Sequence, residues 1–311
     1  MRVLLHYNAG PALRARLGAL PSLAVGFAAE GDDAALFAAL PGAEVLWHVL
    51  QPCTAAVIDA APRLRLIQKI GVGVNTIDLA AARARGIAVC NLPGTNSRAV
   101  AEMALLLMLA ALRRLPQFDA GLRAGKWGAA PAVQDRLGEL GGRCVGLVGF
   151  GAVPAILAPV LAALGCRVIY TARAKKPELP YEYFDLNGLL AEADVVSLHV
   201  PEVAETAGMI DAAALGRMKR GAELVNTARG GLVDEAALLA ALRDGQLGAA
   251  GLDVFAREPT PADNPLLGLD NVVVSPHVAW VTGETFARSF DIAAENIRRL
   301  GAGEDLLHRV V

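Results

Sequence analysis

Three residues toward the C-terminal end of the chain are of the types that move a proton on and off an oxygen: Arg229 in NTARGG, Glu258 in LDVFAREP and His277 in SPHVAW. Each follows a short apolar run that reads as a strand, so each is expected at a strand end or in the loop just beyond it. In an open α/β sheet that edge is where ligands bind. Arginine offers a planar, permanently charged fork that grips a carboxylate with directional bonds. Histidine titrates near neutrality and can both give and take a proton. A carboxylate on its second nitrogen would fix the ring's orientation and stabilise its charged form, and the pair would titrate as a unit. Such a set suits the polar half of a hydride transfer: an acid substrate is held while a proton moves at the oxygen beside its carboxylate.

A second group lies upstream, between a strand-like and a helix-like run: Gly149-Phe150-Gly151-Ala152-Val153-Pro154. Gly149 permits a tight turn, and Gly151 lets the backbone approach a pyrophosphate at a helix N-terminus. Pro154 replaces the third glycine of the usual pattern, and proline is tolerated in a helix's first turn. A carboxylate about 20 residues further on would bind the ribose hydroxyl of NAD. The strand there ends Tyr170-Thr171-Ala172-Arg173-Ala174-Lys175-Lys176, with no acid. The Thr171 hydroxyl and Arg173 guanidinium would accept a 2′-phosphate, so NADP(H) is favoured over NAD(H) as the cofactor.

Bringing these groups to one edge requires strands that alternate with helices. In the first third of the chain VLLHYN, LAVGFAA, EVLWHVL, LRLIQKIG and IAVCNLPG read as strands, separated by PALRARLGAL, DAALFAALPG, AAVIDAAP and DLAAARARG as helices. Strands joined through single helices imply a parallel sheet. An Ala/Leu/Met-rich segment from Ser97 to Leu115 is expected to form a buried helix stopped by Pro116. The alternation restarts after Gly141–Gly142 with CVGLVGFG, CRVIYTA, DVVSLHVP, ELVNTARG, GAAGLDVF and NVVVSPHV, runs apolar enough to be covered on both faces. A last helix, Glu284 to Leu300, is expected to return to the first domain. The expected fold is α/β with two Rossmann-like domains. A doubly wound parallel-sheet dinucleotide-binding domain, residues 97–282, is inserted in a smaller flavodoxin-like substrate-binding (catalytic) domain, residues 1–96 plus 283–311.

Composition narrows the function classes. The 311 residues are 54% hydrophobic, but much of that is alanine, and the most apolar stretch, Val100 to Leu112, carries Glu102. It is too short for a bilayer, which takes ~20 apolar residues. The start, MRVLLHYNAG, lacks the pattern of a signal peptide, and a cytoplasmic location is expected. A net charge of −2 gives no reason to expect nucleic acid or a membrane surface as partner. Cys53, Cys90, Cys144 and Cys166 lie far apart with no metal-ligand spacing, and no metal is expected.

Taken together, GVGVNTIDLAAARARGIAVCNLPGTNS with RAVAEMALLLMLA, the glycine loop, HVPEVAETAGMI, NTARGGLVDEAALLAAL, GLDVFAREP and SPHVAW resemble the D-isomer-specific 2-hydroxyacid dehydrogenase family over essentially the whole chain. The resemblance implies an NAD(P)-dependent oxidoreductase that interconverts a small 2-oxo acid and its D-2-hydroxy acid. Arg229 would pair with the substrate carboxylate, His277 would exchange the proton with the C2 oxygen, and Glu258 would hold the imidazole. The backbone N–H groups of Val72 and Gly73 would also meet the substrate carboxylate. Ala152 and Val153 would offer N–H groups to the pyrophosphate. Pro201, Thr227 and Ala228 would line the cofactor cleft, and Asp253 would hold the nicotinamide carboxamide or ring face. A homodimer is implied, through the helix from Ser97 and the arm that runs to Trp127.

Substrate choice is expected to rest on Trp47 to Pro52, Gly71 to Val74 and Trp280. The AW after the histidine and the YTAR strand end resemble glyoxylate and hydroxypyruvate reductases. Leu50 and Val72 could equally wall in a bulkier, apolar 2-oxo acid, and a phosphorylated substrate would find only Lys69 as a nearby cation. Another class, a dinucleotide-sensing corepressor on the same scaffold, is disfavoured by the intact trio. His6, His48, His199 and His308 are assigned structural roles.

Overall fold

The computed structural model of the chain describes residues 1–21 and 23–311. The protein divides into two compact units, Met1–Asn96 with Thr282–Val311, and Ser97–Val281. The first unit opens β1 (Arg2–His6), α1 (Pro11–Gly18), β2 (Ala24–Ala28), α2 (Asp33–Ala39), β3 (Val45–His48), α3 (Ala55–Asp59), β4 (Leu66–Lys69), α4 (Leu79–Ala84) and β5 (Ala88–Cys90). Side chains of Asp32, Thr54 and Asp78 accept the first free N–H groups of α2, α3 and α4, which fixes where those helices start. The strands form one parallel sheet in the order β2-β1-β3-β4-β5. Leu4, Leu46, Ile67 and Val89 on one face pack with Leu36, Ile58 and Ala82.

The second unit begins with α5 (Ser97–Leu112), α6 (Leu115–Arg123) and α7 (Pro131–Gln134). The expected single helix to Leu115 is corrected here. Arg114 adopts the left-handed conformation (φ 52°), the chain turns, and Pro116 lies in the first turn of α6. A proline has no N–H to lose there, so it marks a helix start and not a stop. Nor is α5 buried all round: Leu106 is 53% exposed and Leu109 39%.

Next come β6 (Cys144–Val148), α8 (Ala152–Ala163), β7 (Arg167–Thr171), β8 (Glu182–Tyr183), α9 (Leu186–Glu192), β9 (Val195–Leu198), α10 (Ala212–Arg217), β10 (Ala222–Asn226), α11 (Glu235–Arg243), β11 (Leu247–Leu252) and β12 (Val272–Val274). The two-residue β8 is absent from the sequence reading. All pairs are parallel, in the order β12-β11-β10-β9-β6-β7-β8. Val145, Leu147, Val195 and Val225 face α5 and α8, while Val148, Val196, Leu198 and Leu224 face the opposite layer. Alternate residues of each strand thus enter two separate cores, the doubly wound pattern.

The chain ends with α12 (Gly283–Ala302), capped by Thr282 and belonging to the first unit. Phe290 meets Trp47 at 5.0 Å between ring centroids. Asn296 donates to Gln68 at 2.7 Å.

Candidate active site

The order of strands reverses between β6 and β9, and in such sheets the ligand crevice opens at the carboxyl ends on either side of that point. At this end Thr171 closes β7, and the loops leaving β6, β9, β10, β11 and β12 carry Gly149, Pro201, Arg229, Asp253 and His277.

Gly149 has φ 93°, and its N–H donates to the Thr171 carbonyl at 2.9 Å. A Cβ at this position would stand 2.7 Å from the carbonyl oxygen of His199, so only glycine fits. Gly151 faces open space, with nothing within 4 Å of an added Cβ. It precedes α8 without offering a side-chain cap, and the first turn of α8 has no acidic residue. By contrast α9, α10 and α11 are capped by Asp185, Asp211 and Asp234. Pro154 is buried in the first turn without breaking it, for Ala155 still donates to the Gly151 carbonyl at 3.1 Å. The Ala152 and Val153 amides at this helix start suit the pyrophosphate of a dinucleotide.

Thr171 ends β7 half-buried, and Arg173 is exposed just beyond it. The hydroxyl of Tyr170 accepts from the Lys176 amide at 2.8 Å and donates to its carbonyl at 3.1 Å, folding this basic turn back over the strand end. Pro201 is exposed after β9, its carbonyl accepting from the Thr206 hydroxyl at 2.7 Å. Thr227 is buried, with no hydrogen-bond partner on its hydroxyl, and Ala228 is half-buried. Val72 and Gly73 lie in the first unit, in the loop after β4, where Val72 is exposed and its carbonyl accepts from Asn91.

Asn226, buried at the end of β10, shapes the arginine turn. Its amide donates to the Arg229 carbonyl at 2.8 Å and its oxygen accepts from the Ala228 amide at 3.0 Å. Gly230 packs backbone to backbone on Phe255: an added Cβ would lie 1.9 Å from its carbonyl carbon. That contact brings the Arg229 turn against the segment that carries Glu258. Burial lowers the pKa of the guanidinium, opposed by the charges of Glu258 and Glu202. Glu202, whose carboxylate presses on Gly231, is an acid near Arg229 that the sequence reading missed.

Glu258 uses both oxygens. One accepts the Phe255 amide at 3.0 Å; the other accepts from Nδ1 of His277 at 2.6 Å. Burial resists its ionisation, but the bond and charge of His277, the Phe255 amide and Arg229 outweigh this and leave its pKa below the ordinary value. With Nδ1 engaged, Nε2 is the imidazole nitrogen left to meet a substrate oxygen.

Asp253, expected at the nicotinamide carboxamide or ring face, is tied into the loop that carries His277. Asp253 is 0% exposed. One of its oxygens accepts from the Ser275 hydroxyl at 2.5 Å and the Val278 amide at 2.9 Å, the other from the Ala279 amide at 2.9 Å. Its carboxylate is committed to the loop that carries His277, and burial raises its pKa despite these donors. Lys69, considered as a phosphate partner, is also buried, with its ammonium on the Val49 carbonyl. Trp280, read as a substrate-selecting residue, is buried at 6% exposure.

Among the described residues, no three of His, Cys, Asp or Glu come together as a metal site, and no helix is long and apolar enough to cross a membrane. All four cysteines are buried thiols.

Known proteins resemble this chain in sequence and fold. The model of the D-isomer specific 2-hydroxyacid dehydrogenase, NAD binding domain, matches residues 105–279. The chain is 43% identical over 280 residues to D-3-phosphoglycerate dehydrogenase of Mycobacterium leprae, covering 88% of this chain and 52% of that protein. It therefore spans about half the length of the D-3-phosphoglycerate dehydrogenases it matches. It is 43% identical over 258 residues to glyoxylate reductase of Korarchaeum cryptofilum, covering 81% of this chain and 78% of that protein. Among solved structures, the NADPH-dependent glyoxylate/hydroxypyruvate reductase of Sinorhizobium meliloti, in complex with NADP and malonate, matches with a TM-score of 0.84 at 30% identity, covering 100% of this chain and 96% of that one.

Proposed function

Because this chain belongs to the D-isomer specific 2-hydroxyacid dehydrogenase family, we propose that it interconverts a small 2-oxo acid and its D-2-hydroxy acid, with glyoxylate or hydroxypyruvate as the substrate. The observation that carries this reading is the 2.6 Å bond between Glu258 and Nδ1 of His277, in a segment packed against the Arg229 turn. A bound nicotinamide dinucleotide supplies or takes up the hydride. Arg229 grips the substrate carboxylate. His277 gives a proton from Nε2 to the C2 oxygen during reduction and takes it back during oxidation, while Glu258 keeps the ring in place.

For the cofactor, the Gly149–Val153 turn and the uncapped start of α8 receive the pyrophosphate, and Pro201, Thr227 and Ala228 line the cleft. NADP(H) is the preferred form: Thr171 and Arg173 stand where an acid would select NAD, and a neighbouring structure holds NADP. The reductase reading draws on likeness to a glyoxylate reductase over most of that protein's length. A phosphorylated substrate is disfavoured by the engagement of Lys69 with Val49. The exposed apolar side chains Leu106, Leu109, Leu115, Leu122 and Trp127 support a homodimer formed through α5, α6 and the arm that follows; light scattering at the mass of a monomer would exclude it.

The deciding experiment compares NADPH and NADH oxidation with hydroxypyruvate, glyoxylate, pyruvate and a branched 2-oxo acid. Faster turnover with NADPH and a small polar acid is expected. Preference for NADH would overturn the Thr171/Arg173 argument alone. Absence of turnover despite cofactor binding would overturn the enzyme reading and favour a dinucleotide sensor.

A further inference from the structure

His277 has φ 54°, in the left-handed region that a side chain other than glycine's occupies at a cost. Such a conformation persists only where its surroundings over-determine it, and it is informative when it falls on a residue with chemistry to do. The backbone around His277 is held at several points. Its N–H donates to the Asp253 carbonyl at 2.7 Å, and the next two amides, of Val278 and Ala279, end on the Asp253 carboxylate at 2.9 Å each. Its own carbonyl accepts from the indole N–H of Trp280 at 3.1 Å. Asp253 therefore holds the peptide between His277 and Val278 by its N–H, while Trp280 alone of these side chains holds the same peptide by its carbonyl.

We propose that Trp280 is a positioning residue for His277: its indole N–H pins the left-handed peptide so that the imidazole meets Glu258 through Nδ1 and leaves Nε2 directed at the reacting oxygen. The inference rests on the proton-transfer role given to His277 above. It differs from a substrate-selecting role for Trp280, because the ring is buried and its polar atom is spent on the main chain. Four consecutive residues divide the roles in the loop: His277 acts, Val278 and Ala279 anchor, and Trp280 closes the turn back onto His277. Without the indole N–H, the peptide between His277 and Val278 is held on its N–H side alone, and the ring loses its 2.6 Å alignment with Glu258 in a fraction of molecules. Proton transfer is sensitive to such misalignment, whereas grip on the substrate carboxylate through Arg229 is not.

The test is Trp280→Phe, which keeps a large ring and removes the N–H. A second variant replaces the indole with benzothienylalanine, an isostere that lacks the N–H and keeps the volume if phenylalanine packs poorly. Expected for both are a fall in kcat of about five- to tenfold, KM for the 2-oxo acid and Kd for NADPH within twofold, and a pH–kcat midpoint moved to lower pH as the Glu258 bond weakens. In the protein without cofactor, the NMR signals of the His277 ring should shift or broaden. Unchanged kcat, pH profile and ring signals would overturn the proposal. So would a raised KM at constant kcat, which would return Trp280 to the substrate pocket, or a lower Tm with normal kcat per folded molecule, which would make it structural only. His277→Ala measured alongside separates the layers: if that variant still turns over, the underlying role of His277 fails, and if it is inactive while both Trp280 variants are normal, only the clamp fails.

Discussion

Gly149 and His277 sit at the same edge of the same sheet, at the ends of β6 and β12, and both have left-handed backbones, with φ of 93° and 54°. They reach that conformation by opposite means. Gly149 needs no help, because it has no Cβ to clash, and what its turn supplies is bare backbone for a cofactor. His277 must keep its side chain, so the strain is carried by partners: Asp253 on the flanking amides and Trp280 on the carbonyl. One loop is shaped by what is missing from it and the other by what surrounds it. The two should therefore fail differently when altered.

The largest effect is expected at the crowded loop's chemical tip. His277→Ala should lower kcat by about 10²–10⁴-fold, the usual scale of a lost general acid. NADPH binding, read by its fluorescence, should stay within a few fold, because the Gly149 turn is untouched. The comparison breaks if cofactor affinity falls in step with kcat, for then the two loops are one mechanical unit.

Gly149→Ala should do the reverse. Its Cβ would stand 2.7 Å from the His199 carbonyl oxygen and 2.8 Å from a Val200 methyl. Left-handed strain and overpacking together should cost roughly 2–4 kcal/mol. The expected readings are a clear fall in Tm and weakened NADPH binding. A variant with wild-type Tm and affinity would show that the turn tolerates a side chain, and the argument from absence would be wrong.

This contrast also explains what could be read from the sequence. The glycine turn was legible because glycine's freedom is a property of the residue itself, and strand–turn–helix context is local. Both parallel sheets followed from the alternation of apolar runs with helices, and the trio stood out by residue type after strand-like segments. The loop partners of Asp253 were not legible, because an acid at a strand end has the same chemistry whether it faces a cofactor or a neighbouring loop; its bonds to Ser275, Val278 and Ala279 exist only in the fold. The burial of Trp280 was not legible either, since it depends on neighbours remote in sequence. Pro116 was taken as a stop because a proline signals a helix boundary without saying on which side the helix lies. Lys69 looked like an available cation until the fold placed a carbonyl against it. Asn226 and Glu202 gave no signal at all: their roles come from turns that exist only in the folded loop.

The last of the expected effects concerns acid, and of the two loops at this edge it bears on the one that holds Gly149. His199 is half-buried between β9 and Pro201, its Nε2 meets the Ser197 hydroxyl at 2.9 Å, and its carbonyl is the wall that confines Gly149. Burial pushes its pKa from the ordinary 6.5 to about 3. Between those values the unfolded chain binds the proton and the folded one does not, so stability is fully present above pH 6.5 and is lost as pH falls toward 3. At pH 4 the loss from this residue should be on the order of 3 kcal/mol. His6 and His48, also lowered by burial, add the same sign in the other unit. The contribution of His199 is therefore isolated by comparing wild type with His199→Asn in denaturant melts at pH 7 and pH 4. The variant should lose less stability on acidification, and hydrogen exchange at pH 4 should open the Gly149–Gly151 amides of the wild type before those of Val278 and Ala279. Equal acid sensitivity of the two proteins would mean that the wall behind Gly149 is not the acid-labile part of this edge, and that the glycine loop is held as firmly as the loop of His277.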